Sequence, residues 1–369
     1  CLSVAAQDTN IPIRPNILFA IADDWGVHAG AYGTSWVKTP NFDRVAKQGI
    51  LFRNAFTPNA KCAPSRACIL TGRNSWQLKE AANHLCYFPK EFKGWGEALS
   101  ENQWQVGHTA KGWGPGVAMD DKNKPRQMTG KPFNDHKAPP PTNGMSNNDY
   151  AANFKDFLST TSKEKPWAFW YGGLEPHRGY EFGSGVAKGG KKLTDIPKVP
   201  GYWPDNDTVR NDMLDYALEI EWFDKQLDKI IKMLAAAGEL DNTIIVVTAD
   251  NGMAFPYAKA NLQEYGVHVP LAISGPGING KERKVNDLVS LIDLAPTFLD
   301  MAGVKHFEGI TGKSLVPIFS SSKSGFIDSS RSFILTGRER HSHARPDNVG
   351  YPARAIRTNN YLYIKNFKE

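Results

Sequence analysis

The segment Cys62-Ala63-Pro64-Ser65-Arg66, continuing Ala67-Cys68-Ile69-Leu70-Thr71-Gly72-Arg73, concentrates chemistry in one short stretch. Pro64 suits the first turn of a helix, because it lacks the N–H that the first turn leaves unpaired. Cys62 then lies at a helix N-terminus, where partial positive charge and free N–H groups stabilise an anion. Arg66, one turn on, can face the same point. On its own the segment reads equally as a buried cysteine beside a helix start. Four other places carry polar groups behind an apolar run: Asp23-Asp24, Lys111, Glu175-Pro176-His177-Arg178 and Asp250-Asn251-Gly252. Singly, an Asp pair also fits a cap or a loop, Asp-Asn-Gly a plain turn, and a lone histidine or lysine a surface group.

The apolar runs say how these groups are positioned. They cover residues 17–22, 105–110, 167–171 and 243–248. Continuous apolar runs of this length fit strands buried on both faces, as in a parallel sheet between helix layers. In open α/β sheets ligands gather at the carboxyl ends of strands. Carboxylates, an amide, a lysine and a histidine from distant segments would thus reach one rim. Residues 212–237 carry an apolar stripe at three- and four-residue spacing, from Met213 to Leu234, which predicts a helix. Gly238 is placed to end it in a left-handed turn. A shorter helix is expected over 42–47. Residues 119–148 and 181–207 are rich in Pro, Gly, Asn and Lys. They read as long surface loops, either binding walls or solvated insertions.

The chain has 369 residues, a net charge of +6, 41% apolar and 22% charged residues, which excludes a disordered polyelectrolyte and a collagen-like fibre. No apolar run approaches the ~18 residues of a membrane span. The basic residues are dispersed, which speaks against nucleic-acid binding. Four cysteines do not make a disulfide scaffold; Cys68 and Cys86 are the pair open to bridging in an oxidising compartment. Val4-Ala5-Ala6 has the form of a signal-peptidase site, Cys1 that of a lipid-anchored residue. Both imply export: periplasmic, secreted or anchored at the cell surface. A cloning remnant is the other reading. Tyr361-Leu362-Tyr363-Ile364 reads as a strand in want of a neighbour, so further sequence is expected beyond Glu369. The expected fold class is α/β: a large mixed, mostly parallel sheet between helix layers, with the start of a smaller α+β subdomain. Its divisions are an N-terminal arm or export remnant over 1–14, the α/β domain over 15–319, and the subdomain over 320–369.

Together these residues resemble the sulfatase family of the alkaline-phosphatase superfamily. The likeness runs from Pro15 to at least Gly312. It rests on Asn16-Ile17-Leu18 into Asp23-Asp24, Thr39-Pro40-Asn41-Phe42-Asp43, Phe52-Arg53-Asn54-Ala55-Phe56, the Cys62 motif, Lys111, Pro176-His177 and Asp250-Asn251-Gly252. The resemblance implies an alkaline-phosphatase-like fold and a catalytic role for the domain over 15–319. It implies that Cys62 is oxidised to formylglycine by a formylglycine-generating or sulfatase-maturating enzyme. The hydrated aldehyde attacks sulfur with one oxygen and expels sulfate when the other is deprotonated, splitting one step into two. Asp23, Asp24, Asp250 and Asn251, with the Cys62-derived group, match the family's metal site. These hard oxygen ligands select Ca²⁺ or Mg²⁺ over zinc, and the family favours Ca²⁺. Arg66 belongs to the catalytic motif. Lys111 matches a lysine holding sulfate and hydrate oxygens, His177 a general acid for the leaving group, and Lys259 a sulfate-binding lysine. Many members continue Lys-x-His, whereas here the chain reads Lys111-Gly112-Trp113. Whatever polarises the hydrate must therefore be another group.

Within the family the chain resembles the heparan N-sulfatase branch. The supporting stretches are Glu175-Pro176-His177-Arg178-Gly179, residues 250–256, Asn261-Leu262 and residues 350–357. The implied substrate is an N-sulfated glucosamine of heparin or heparan fragments. Arg338, Arg340, His341, His343 and Arg345 would supply cationic donors to sulfates and carboxylates of neighbouring sugars, or form a solvated charged loop. An O-sulfatase on another glycan, a phosphodiesterase or phosphonate monoester hydrolase of the same superfamily, and a non-catalytic glycan-binding protein are the alternatives.

Overall fold

The structure is a computed structural model that describes residues 14–340 and 346–367. The thirteen strands of the described residues are β1 (Asn16–Ala22), β2 (Ile50–Phe56), β3 (Cys86–Tyr87), β4 (Gln105–Ala110), β5 (Gly116–Val117), β6 (Lys131–Pro132), β7 (Trp167–Gly172), β8 (Thr243–Ala249), β9 (Leu271–Ser274), β10 (Arg283–Ser290), β11 (Phe333–Arg338), β12 (Ala353–Thr358) and β13 (Leu362–Asn366). The α-helices are α1 (Pro40–Gln48), α2 (Cys62–Thr71), α3 (Trp95–Glu101), α4 (Tyr150–Thr160), α5 (Ser184–Ala187), α6 (Asp207–Ala236), α7 (Glu264–Val267), α8 (Leu294–Ala302) and α9 (Val316–Phe319).

Eight strands form one sheet in the order β10-β2-β9-β8-β1-β7-β4-β6. All neighbours run parallel except at β9, which is antiparallel to β2 and β8. The fold is therefore the mixed, mostly parallel α/β class. The three central strands β1, β7 and β8 are buried along their whole length, as continuous apolar runs require. β4 departs from that expectation: its residues alternate between buried and partly exposed. It stands next to the edge strand β6, which pairs with it only at Lys131 and Pro132, so the outer part of its surface lacks full cover.

On one face, Phe19 meets Trp170 edge-on at 4.8 Å, while Trp95 packs against both Trp170 and Phe298. These rings lock β1 and β7 to α3 and α8, each pair adding about 0.5–1.5 kcal/mol beyond area burial. The long helix α6 covers other parts of the sheet and buries Met213, Leu214, Phe223, Leu227 and Leu234. It begins earlier than its apolar stripe, at Asp207, because the Asn206 side chain accepts from Val209 N and caps the end. Gly238, with φ 72°, turns the chain out after it. Asp224 of α6 accepts from the Asn41 and Phe42 amides at 3.0 and 2.8 Å, capping α1 from another element. Burial still pushes Asp224 up to about 6.

The strand expected near 361–364 is β13. It is the outer strand of a three-stranded antiparallel sheet, β11-β12-β13. Ile334, Ala353 and Ala355 pack with Phe56, Leu262 and Val267, the end of β2 and the loops beyond β8. Cys68 and Cys86 are free thiols. Cys68 is sealed inside α2, whereas Cys86 lies in the β3–β5 ladder.

Candidate active site

Each strand that ends in polar chemistry does so at the same rim. β1 releases Asp23 and Asp24, and β8 releases Asp250 and Asn251; the two strands pair in register up to Ala22 and Ala249. All four side chains are completely buried. Asp24 takes a left-handed backbone, φ 68°. It donates its N–H to Asp250 Oδ1 at 3.1 Å and receives Asn251 Nδ2 at 2.7 Å on Oδ1. Such backbone costs of order 1–3 kcal/mol and persists where its surroundings over-determine it. Gly252 follows because a Cβ there would lie 1.9 Å from Tyr265 O.

Helix α2 starts at Cys62, as its motif predicts, with Ser65 N bonding back to Lys61 O. Ser65 Oγ donates to Asp250 O at 2.6 Å. Arg66 is fully buried; its Nε pairs with Asp250 Oδ2 at 2.7 Å, and Nη1 reaches the carbonyls of Lys111 and Gly112. Burial alone would lower Arg66, but Asp250 and Asp23 hold it above its ordinary value. Arg66 thus ties the start of α2 to the ends of both β8 and β4.

Lys111, after β4, pairs with Asp23 Oδ2. Lys259 pairs with Asp24 Oδ2 at 2.6 Å. His177 Nε2 lies 3.9 Å from the same oxygen. Burial opposes the charge on both lysines, yet the carboxylates raise each above its ordinary value. Burial, then Asp23, push Asp250 up against the pull of Arg66 and Lys111. Three carboxylates therefore face three cations in one buried cluster. The Cys62 thiol opens onto a cavity of about 690 Å³ shared with Lys111, Trp113 and His177. Burial is the main influence raising this thiol above its ordinary value, against the pull of Lys111 and Lys259.

The donors fit a hard dication. Asp23 Oδ1 and Asn251 Oδ1 are buried without a hydrogen-bond partner, a costly state unless something else satisfies them. Ligand atoms of Asp23, Asp24 and His177 also lie within 4.8 Å of one another. Oxygens dominate the set, which suits Ca²⁺ or Mg²⁺.

The structure brings Asp23, Asp24, Cys62, Arg66, Lys111, His177, Asp250, Asn251 and Lys259 together. Of the basic C-terminal cluster, Arg338 and Arg340 are among the described residues. Arg338 turns its Nη1 to Ala260 O at 2.6 Å, bracing the loop of Lys259. Arg340 lines a separate cleft with Glu80, Asn83 and Glu339. His341, His343 and Arg345 lie outside the described residues. One neighbour of Cys62 escaped sequence reasoning: His84, whose Nε2 is 3.3 Å from Sγ. Its only signal was a histidine downstream of the motif in a chain whose Lys111 motif lacks one.

Residues 15–304 match the sulfatase family model. This chain belongs to the sulfatase family. It thereby joins a family of sulfuric ester hydrolases. Residues 255–369 of this sulfatase match a second model, the C-terminal region of N-sulphoglucosamine sulphohydrolase. It is 27% identical over 372 residues to an ulvan-active sulfatase of Formosa agariphila, covering 99% of this chain and 68% of the relative. It is 26% identical over 395 residues to N-sulphoglucosamine sulphohydrolase of Homo sapiens, covering 96% and 74%. A structure in complex with D-glucosamine-2-N,6-O-disulfate superposes with a TM-score of 0.69 at 20% identity, covering 96% of this chain and 91% of that one. The phosphonate monoester hydrolase of Agrobacterium radiobacter gives 0.69 at 18%, covering 95% and 87%. These likenesses establish the shared fold. Among the described residues no helix is long and apolar enough to cross a membrane.

Proposed function

We propose that this sulfatase removes the N-linked sulfate from glucosamine units of heparin or heparan fragments. The observation that carries the reading is Cys62 at the start of α2, opening onto a cavity beside a buried cluster of three carboxylates and three cations. Burial raises the Cys62 thiol and so disfavours the thiolate, the nucleophilic form of cysteine. Oxidation to formylglycine by a maturation enzyme would replace it with a hydrated aldehyde, an oxygen nucleophile that can release sulfate again. Asp23, Asp24, Asp250 and Asn251 would hold Ca²⁺, which supplies charge neutralisation for sulfuryl oxygens when bound. Lys111 and Lys259 then act as charge clamps, each already poised on a carboxylate of the site. Arg66 fixes the strand ends that carry Asp250 and Lys111. His177, partly exposed at the cavity, hands a proton to the departing amine. Export to the periplasm, cell surface or medium completes the reading, since sulfated glycans of this kind are extracellular polymers.

Similarity to the human sulfohydrolase and the match of residues 255–369 support the N-sulfate. A second reading, an O-sulfatase on another glycan, is favoured by the similarity to the ulvan-active sulfatase. Sulfate release from a panel of defined heparin disaccharides, with host-matured protein and Ca²⁺, decides. Release from N-sulfated but not solely O-sulfated sugars supports the proposal; the reverse pattern overturns it.

A further inference from the structure

We propose that His84 is a catalytic residue of this sulfatase: its Nε2 takes the proton from the hydroxyl that residue 62 carries once matured. In the structure Cys62 Sγ stands in for that oxygen, and His84 Nε2 lies 3.3 Å from it. This inference rests on the formylglycine reading above.

Three observations converge. First, position 113 cannot do this work. Trp113 donates its indole N–H to Ala63 O at 3.1 Å and stacks edge-on against Phe88 at 5.1 Å, so it is a packing group with no basic nitrogen. Second, His84 lines the same cavity as Cys62, Lys111 and His177. Third, the histidine is fastened to the very segment that follows Lys111. Leu85 N bonds to Pro115 O at 3.2 Å, and Phe88 N to Val117 O at 2.8 Å. Between them β3 pairs with β5, Cys86 with Gly116 and Tyr87 with Val117. A two-residue ladder of this size adds little as sheet. It does hold residue 84 in register with the Lys111 loop, as a working group requires.

The step balances as follows. The O–H bond on residue 62 breaks and its proton goes to His84 Nε2. The electron pair left on oxygen re-forms the carbonyl as the bond from carbon to the sulfate oxygen breaks. That second pair leaves with sulfate. Water then adds back to the carbonyl.

The test uses matured wild type, His84→Ala and His84→Gln, the last keeping a polar side chain that cannot take the proton. Peptide mass spectrometry measures formylglycine at position 62, and rates are expressed per formylglycine. Intact mass after mixing with an excess of N-sulfated disaccharide measures sulfate left on the protein. Both variants are expected to retain formylglycine and the wild-type melting temperature. Turnover should fall about 10²–10⁴-fold, the usual contribution of a positioned base, and close to one sulfate per chain should accumulate where wild type shows little. Turnover per formylglycine within about threefold of wild type, or slow turnover with no retained sulfate, overturns the proposal. Wild type that neither carries formylglycine nor releases sulfate overturns the underlying reading and this step with it.

Discussion

Calcium is expected to raise the melting temperature of the protein, and Asp23→Asn to abolish the rise. Asp23 Oδ1 and Asn251 Oδ1 are buried with no hydrogen-bond partner, each worth about 1–3 kcal/mol of desolvation left unrepaid by the protein's own groups. A dication that satisfies them binds the folded chain alone, because the four donors come from segments more than 220 residues apart. At a free Ca²⁺ concentration 100 times the dissociation constant, the linkage stabilises by about 2.7 kcal/mol. With about 2.1 cal/mol/K of unfolding entropy per residue over 369 residues, the transition entropy is about 0.8 kcal/mol/K. The expected rise is therefore about 3.5 °C, increasing to about 5 °C at 1,000 times the dissociation constant. Differential scanning calorimetry across a Ca²⁺ titration against a chelator measures it. Asp23→Asn keeps the shape but removes one charge and should lose most of the shift. An unchanged transition from chelator to millimolar Ca²⁺, or a full shift in Asp23→Asn, would refute the reasoning.

Three further outcomes are expected. Arg66→Ala leaves Asp250 buried without its partner, so urea unfolding should show a loss of about 3–5 kcal/mol; a loss below about 1 kcal/mol contradicts the role given to the pair. His177→Ala should leave substrate affinity nearly intact and slow turnover most for substrates with poor leaving groups; equal slowing across a leaving-group series would remove it from proton transfer. Burial, then Glu175 and Asp215, push Glu219 of α6 up to about 9. The folded chain thus holds a proton there that the unfolded chain releases near 4.5. That contribution is complete below about pH 4.5 and lost as pH rises through about 9. Glu219→Gln should therefore gain up to about 3 kcal/mol over wild type at pH 7, from about 1.4 kcal/mol per pH unit. It should gain nothing at pH 4. A pH-independent difference in denaturation midpoint would count against it.

The elements most legible in the sequence were those with one dominant signal. The apolar runs of β1, β7 and β8 name buried parallel strands because only a sheet covered on both faces needs them. The motif start at Cys62 and the stop at Gly238 coincide with observed helix ends. Weaker signals misled. The polar first turn of α6 carries no stripe, so its beginning is visible only through the cap at Asn206. β4 reads like its neighbours but lies beside the edge strand, a fact of strand order that no local pattern encodes. β9, four residues long and antiparallel, has no distinguishing period.

The same division holds for the site. Apolar runs ending near Asp23-Asp24, Lys111, His177 and Asp250-Asn251 directed those groups to one rim, while Cys62 and Lys259 joined them only through the resemblance to the sulfatase family. Tertiary structure decided the rest. It braced Arg338 on the loop of Lys259, set Arg340 in another cleft, and brought His84 beside residue 62. Those placements depend on ladders and loops joining residues far apart in the chain, and the energy of such contacts leaves no periodic trace in the sequence.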